Sequence, residues 1–302
     1  LGKLTNILTH RGLDPDYPDF PAESSYQAFL DHCQRGFGLE FDVCFLKDQA
    51  IGIFHDSTLS RLSNDLDTRE LSQISKLEFQ TLRLNKCRFI LLKDLLKIIE
   101  CSKSDLHALH FKAKYQNKTN VQNLCRELNT YPKQLQKILI FDLTPETARH
   151  IRELYPEAQL GCSVSREFEV IKYNSAVYGS LLSPAHFEQH SKLYDWAWLD
   201  EWELSCSDGQ SQTNYYQDLN LFENQSELYN QNVFNWLRSL NKKIAVVSPE
   251  LHATSPGLLG GEKHQDASPR SRLENRIKKI LKLKPDAICS DFPDLVSNLI
   301  KI

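Results

Sequence analysis

The chain has 302 residues, with 36 Lys or Arg against 39 Asp or Glu, a net charge of -3 and 41% apolar residues. That length can bury a large core, either as two average domains or as one α/β barrel, and the balanced charge excludes the whole-chain positive field of a nucleic-acid binder. No apolar run approaches the ~20 residues of a membrane span, and the chain's start lacks a signal peptide's apolar core and cleavage site, so the expectation is a soluble, cytoplasmic protein.

Residues 6–9 form a short apolar strand that stops at His10-Arg11-Gly12, after which Pro15, Pro18 and Pro21 hold the chain out of regular structure. Glu23, Ser24 and Ser25 are placed to cap a helix whose apolar positions Tyr26, Phe29 and Cys33 recur at helical spacing and which Gly36 stops. Over residues 38–45, Leu39, Phe41, Val43 and Phe45 point one way and Glu40 and Asp42 the other, the pattern of a strand with one covered apolar face and one polar face. Lys47-Asp48-Gln49 is a turn, and residues 51–54 return as a hairpin strand that delivers His55 near the carboxylates. A helical stripe at 91–99 precedes a strand at 106–113, on which His110 and Lys112 share a face. Helices at 121–128 and 145–154 then alternate with strands at 138–141 and 159–164. The second half continues with strands at 196–199, 244–247 and 287–289 and helices at 232–240 and 273–283.

Eight strands with helices between most of them close most economically into a (β/α)8 TIM barrel, expected here as a single domain over residues 1–302 with a small β-hairpin insertion. An open doubly wound sheet usually offers a Gly-rich phosphate turn after its first strand, and His-Arg-Gly followed by prolines is not one. Two long connections, 206–231 and 249–269, leave strands six and seven at the carboxyl ends, where barrel sites are built. Within them Tyr215, Tyr216, Phe222 and His252 are candidates to wall a substrate pocket. The helix at 270–284 carries seven Lys or Arg against one Glu, and its single apolar stripe reads better as an outer barrel helix than as a membrane-surface helix. The eight cysteines contain no C-x-x-C pair, which argues against zinc-ribbon and thioredoxin arrangements, and they read as reduced.

In a barrel the strand ends and the hairpin bring His10, Arg11, Glu40, Asp42, His55, His110 and Lys112 to one mouth. Carboxylates beside histidines suggest a metal and acid–base groups. The same residues resemble the glycerophosphodiester phosphodiesterase family and its relatives in the phosphatidylinositol phospholipase and sphingomyelinase D superfamily. The resemblance is carried by His10-Arg11-Gly12, Ala22-Glu23-Ser24-Ser25, Glu40-Phe41-Asp42-Val43, His55-Asp56-Ser57-Thr58-Leu59-Ser60-Arg61 and, near the end, Asp286-Ala287-Ile288-Cys289-Ser290-Asp291-Phe292-Pro293. It implies a barrel that hydrolyses a small-molecule phosphodiester to an alcohol and a phosphomonoester with the help of one divalent cation. By that resemblance His10 and His55 would be the acid–base pair, Arg11 and Lys112 would hold phosphate oxygens, and Glu40 and Asp42 would bind the metal.

Two positions depart from the family pattern. The residue two before the strand-three Lys, normally an acidic ligand, is His110, and an imidazole widens the choice of cation from Mg or Ca towards Mn or Zn. Its inward direction beside Glu40 and Asp42 makes it either the third ligand or a hydrogen-bonding partner of one of them. At strand seven, Val246-Val247-Ser248-Pro249-Glu250-Leu251-His252 replaces a Trp-Thr-Val-Asn kind of pattern, so the substrate's distal group is expected to differ. Two other readings compete. One is a barrel that binds phosphodiesters without turning them over, for which two histidines are superfluous. The other is a metal-dependent sugar isomerase or glycosidase, which rarely needs an Arg and a Lys beside the metal.

Overall fold

The computed structural model describes residues 5–84, 86–201, 228–251 and 265–301. Eight parallel strands follow one another around a barrel: β1 (Asn6–His10), β2 (Gly38–Phe45), β3 (His107–His110), β4 (Ile138–Phe141), β5 (Gln159–Val164), β6 (Trp196–Leu199), β7 (Lys243–Val247) and β8 (Ala287–Ser290). Strand β1 pairs with β8, Leu8 beside Cys289, and with β2, His10 beside Glu40, which closes the ring. The expected (β/α)8 barrel is therefore the fold.

The two-residue period of each strand sorts its side chains. Leu39, Phe41, Val43, Leu109, Ile140 and Ile288 join the outer layer with the helices, whereas Leu8, Ala108, Leu139, Phe141, Trp198 and Cys289 fill the barrel interior. At Gly38 that interior has no room: a Cβ there would lie 2.3 Å from the Leu106 carbonyl oxygen and 2.7 Å from Leu8 Cδ2. Gly38→Ala is expected to cost ~1–3 kcal/mol, the usual penalty of overpacking. The urea midpoint should fall at unchanged slope, and an unmoved midpoint would mean that the barrel floor yields to the extra methyl.

Local chemistry sets the element ends. The helix Tyr26–Arg35 starts at Ser25, whose hydroxyl accepts from the Ala28 N–H, and stops at Gly36 in the left-handed region, φ 90°. The basic helix Arg270–Lys282 buries Leu273, Ile277 and Ile280 against the barrel and exposes Arg272, Lys278, Lys279 and Lys282, the outer-helix arrangement. Its Arg276 turns inward instead, onto Glu201. No described helix is long and apolar enough to cross a membrane. The described cysteines are free thiols, all buried except Cys101.

The segment after β2 is larger than a hairpin. Strand β2 turns through Gln49 into the antiparallel strand Ile51–Ile53, and Ile90–Leu91 pairs on its other edge. The helix Lys76–Thr81, started by a capping box between Ser75 and Glu78, lies in the same segment. Cys44, Leu46, Phe54, Ile74, Phe79 and Phe89 give this unit its own small core. Elements this short complete too few periods to stand out in the sequence. The same holds for Leu181–Leu182, which adds parallel to β5, and for the helices Glu167–Tyr173 and Pro184–His190 that flank it.

Candidate active site

The carboxyl ends of β1, β2 and β3 and the turn after Ile51–Ile53 gather all seven predicted polar residues, and all but the partly buried His110 are buried. Glu40 and Asp42 leave β2 on one face, and register places His110 beside Asp42 on the neighbouring strand. One donor atom from each of the three lies within 4.8 Å of the others. His110 Nδ1 is 2.9 Å from Asp42 Oδ1 and 3.9 Å from Glu40 Oε1. Lys112 lies just past the end of β3, yet its Nζ comes 3.0 Å from Asp42 Oδ1 and donates to the His55 carbonyl. Asp42 Oδ2 is buried without a hydrogen-bond partner, with Arg11 Nε 3.7 Å away. A bare carboxylate oxygen next to a second carboxylate and an imidazole forms a donor set suited to a divalent cation, two hard oxygens and one borderline nitrogen.

Electrostatics point the same way. Burial and the neighbouring Asp42 push Glu40 up to about 8. Burial opposes ionisation of Asp42 too, but Lys112, His55 and His110 outweigh it and hold Asp42 well below the usual carboxylate range. Burial alone would depress His110, and its hydrogen bonds to Asp142 and Asp42 instead raise it to about 9. Without a cation, the cluster balances its negative charge by holding protons.

Both remaining histidines are oriented by carboxylates. His10 Nδ1 lies 2.8 Å from Asp291 Oδ1, and His55 Nδ1 lies 2.6 Å from Asp56 Oδ1. An ionised carboxylate only accepts, so each Nδ1 carries the hydrogen and each Nε2 keeps its lone pair. Burial, then Arg11 beside His10 and Lys112 beside His55, holds both imidazoles well below the ordinary histidine range.

The structure adds residues to which sequence reasoning gave no site role. Glu250 accepts from the Asp291 N–H at 3.1 Å, from Ser290 Oγ at 2.5 Å and from Ser248 Oγ, and burial together with Asp291 pushes it up to about 7. Asp56 is held by Arg61 at 2.7 Å, and Arg61 in turn grips Glu23 at 2.6 Å and 3.1 Å. Glu23 is thus not the helix cap its position suggests. Ser25 makes that bond, and Glu23 joins an ion-pair chain whose far end is Arg11, 3.8 Å away. The adjacency of Asp56 to His55 and the acid in Ser290-Asp291-Phe292 were available signals. Asp142, which contacts His110, and Ser163, which donates to Asp142, sit at strand ends with no motif. Tyr215, Tyr216, Phe222 and His252 lie outside the described residues.

The profile of the glycerophosphoryl diester phosphodiesterase family matches residues 10–295. Among curated proteins none matches. Similar solved structures include a glycerophosphoryl diester phosphodiesterase from Parabacteroides distasonis, at 16% identity and a TM-score of 0.66 over 99% of this chain and 87% of that one. A phosphodiesterase from Oleispira antarctica in complex with the product sn-glycerol-3-phosphate is similar at 15% identity and a TM-score of 0.65, over 99% and 98% of the two chains. A glycerophosphodiester phosphodiesterase from Thermotoga maritima is similar at 16% identity and a TM-score of 0.59, over 99% and 100%. At such identities the structural likeness is one of fold.

Proposed function

The chain belongs to the glycerophosphoryl diester phosphodiesterase family and is a phosphoric diester hydrolase, and from that premise we propose that it cleaves a glycerophosphodiester-like molecule to an alcohol and a phosphomonoester, with His10 and His55 as the acid–base pair. One arrangement carries the reading. Two carboxylate-oriented imidazoles share a mouth with the Glu40, Asp42 and His110 cluster, and Arg11 and Lys112 lie 3.7 Å and 3.0 Å from Asp42.

Each residue has a physical task in such a reaction. A phosphodiester's negative charge repels the attacking oxygen, and Arg11 and Lys112 offset it by pairing with phosphate oxygens. One histidine, neutral, takes the attacker's proton on Nε2, while the other, entering the step as the imidazolium, gives its Nε2 proton to the departing alkoxide. Asp291 and Asp56 fix the tautomer that makes those Nε2 atoms available and stabilise each imidazolium as it forms. A divalent cation held by Glu40, Asp42 and His110 would supply Lewis-acid stabilisation of the phosphoryl charge. Two oxygens suit Mg, Ca or Mn, and the nitrogen admits Zn.

The deciding assay is hydrolysis of a chromogenic bis-aryl phosphodiester with added Mn or Mg. Turnover that disappears in at least one of His10→Ala and His55→Ala, the variant that lacks the base, supports the enzyme, whereas no turnover with any divalent cation would leave a barrel that only binds. Specificity is assigned to the connections 206–231 and 249–269, where the aromatic faces of Tyr215, Tyr216 and Phe222, with His252, suit a sugar or a choline-like cation on the alcohol. Deleting residues 206–225 is expected to raise KM for a choline-bearing glycerophosphodiester ~10-fold, the loss of ~1.4 kcal/mol of binding, while sparing the minimal aryl substrate. Equal changes for both substrates would remove this assignment.

A further inference from the structure

At the end of β3 an imidazole can rotate about its ring torsion and offer either nitrogen to Glu40 and Asp42, and only one choice suits a ligand. Two sets of contacts remove the freedom of His110. Its ring stacks on Phe141, with centroids 4.8 Å apart and planes 17° apart, and Phe141 stacks on Trp198 at 3.8 Å, which fixes the ring plane. Nε2 lies 3.2 Å from Asp142 Oδ2, and Asp142 Oδ1 accepts from Ser163 Oγ at 2.7 Å. Because a carboxylate only accepts, both ring nitrogens donate as the ring stands, Nε2 to Asp142 and Nδ1 to Asp42, and the neutral tautomer that keeps the Asp142 bond is the one whose Nδ1 lone pair faces Asp42 and Glu40.

Asp142 is itself held firmly. It follows β4 in the left-handed region, φ 66°, a conformation that Asp and Asn tolerate better than most residues. Gln116 pins this turn from the neighbouring loop: its Nε2 donates to the Asp142 carbonyl at 2.8 Å, and its Oε1 accepts from the Thr144 N–H at 3.1 Å. The carboxylate is thus aimed by its backbone and by Ser163, and its other oxygen is given to His110.

We propose that Asp142 is a positioning residue for the cation site, which together with Ser163 locks His110 so that Nδ1 points at Glu40 and Asp42. The inference rests on the proposed assignment of those three residues to a cation and adds a residue outside the set. Partners of this kind fix ligand orientation and tautomer, and their removal weakens metal binding by ~10–100-fold.

The test is calorimetric titration of Mn(II) into the full chain. Asp142→Gly deletes the carboxylate without straining the left-handed backbone, and Asp142→Asn keeps an oxygen that accepts from Nε2. The Gly variant is expected to bind ~10–100-fold more weakly, with the Asn variant restoring most of the loss. Visible absorption of Co(II) should report the same order, because it responds to coordination by the imidazole and not to general stability. Glu40→Gln serves as the reference and should abolish binding. Wild-type affinity in Asp142→Gly alongside failure of Glu40→Gln would overturn the positioning role and leave the cation assignment standing. Unchanged affinity in both variants would sink the cation assignment and this inference with it, and an Asn variant as weak as the Gly variant would overturn the orientation argument.

Discussion

Turnover of an unactivated alkyl phosphodiester is expected to fall ~10²–10⁴-fold in His10→Ala and by a similar factor in His55→Ala, the usual worth of a positioned proton-transfer group. The double variant should be little worse than either single one, because the two groups act as a unit. Replacing the alkyl leaving group by a nitrophenolate separates their roles. A good leaving group departs without a proton, so the loss at the general acid shrinks while the loss at the base stays. The pH dependence follows from burial and from the cations: both imidazoles are held well below the ordinary histidine range, first by burial and then by Arg11 at His10 and by Lys112 at His55. The free enzyme's base therefore stays neutral to below the usual pH, and the acid limb of kcat/KM should lie below ~6.5, the unperturbed value. Substrate phosphate pairs with the same two cations and relieves their push, so the limbs of kcat should move up relative to those of kcat/KM. Equal residual rates for both variants with alkyl and aryl substrates, or an acid limb at or above the ordinary value, would contradict the assignment.

The elements that the sequence made readable are those with enough periods to count. Strand β2 alternates over eight residues, and its register alone put Glu40 and Asp42 on one face. The eight-strand count also followed from apolar runs at β4, β5, β6 and β7, which are buried on both faces. Lost to the sequence were units whose stability is tertiary, such as the helix Lys76–Thr81 and the two-residue strands beside the hairpin, which hold together through Phe79 and Phe89 stacked at 5.5 Å. At the site, residues delivered by strands β1 to β3 and their hairpin were readable because order along the chain becomes order around a barrel. Asp291 reaches His10 only because β8 closes on β1, a contact between residues 281 apart in sequence, and Glu250, past the end of β7, bonds the Asp291 N–H in turn. Asp142 reaches His110 across one strand by a left-handed turn that nothing in Phe141-Asp142-Leu143 announces.

Divalent cation binding to this site is expected to release protons and to tighten steeply as pH rises towards 9. Without a cation, Glu40 is pushed up to about 8 by burial and Asp42, and His110 is raised to about 9 despite burial by its bonds to Asp142 and Asp42, so both carry a proton at pH 7. A ligand must shed its proton to bind, and two protons displaced give an apparent affinity that rises up to ~100-fold per pH unit well below both values and levels off above them. Calorimetry in two buffers of different ionisation enthalpy counts the protons directly, and a count near zero with a flat affinity would dismiss the ligand set. His110→Glu should move preference from Mn or Zn towards Mg, since it replaces a borderline nitrogen with a hard oxygen. The same protons govern stability. Glu40 has a folded pKa above its unfolded one, so it contributes nothing below ~4.3 and increasingly disfavours the metal-free fold as pH rises to about 8, where the unfolded chain is ionised and the native carboxyl is not. Glu40→Gln removes that opposition, and at pH 7 in a chelator it should stabilise the protein by on the order of 1–3 kcal/mol, with the gain vanishing near pH 4. Added Mn should then raise the melting temperature of the wild type but not of the variant. A variant that melts lower than wild type in chelator at pH 7, or that still gains stability from Mn, would show that Glu40 is held by something other than its need for a cation.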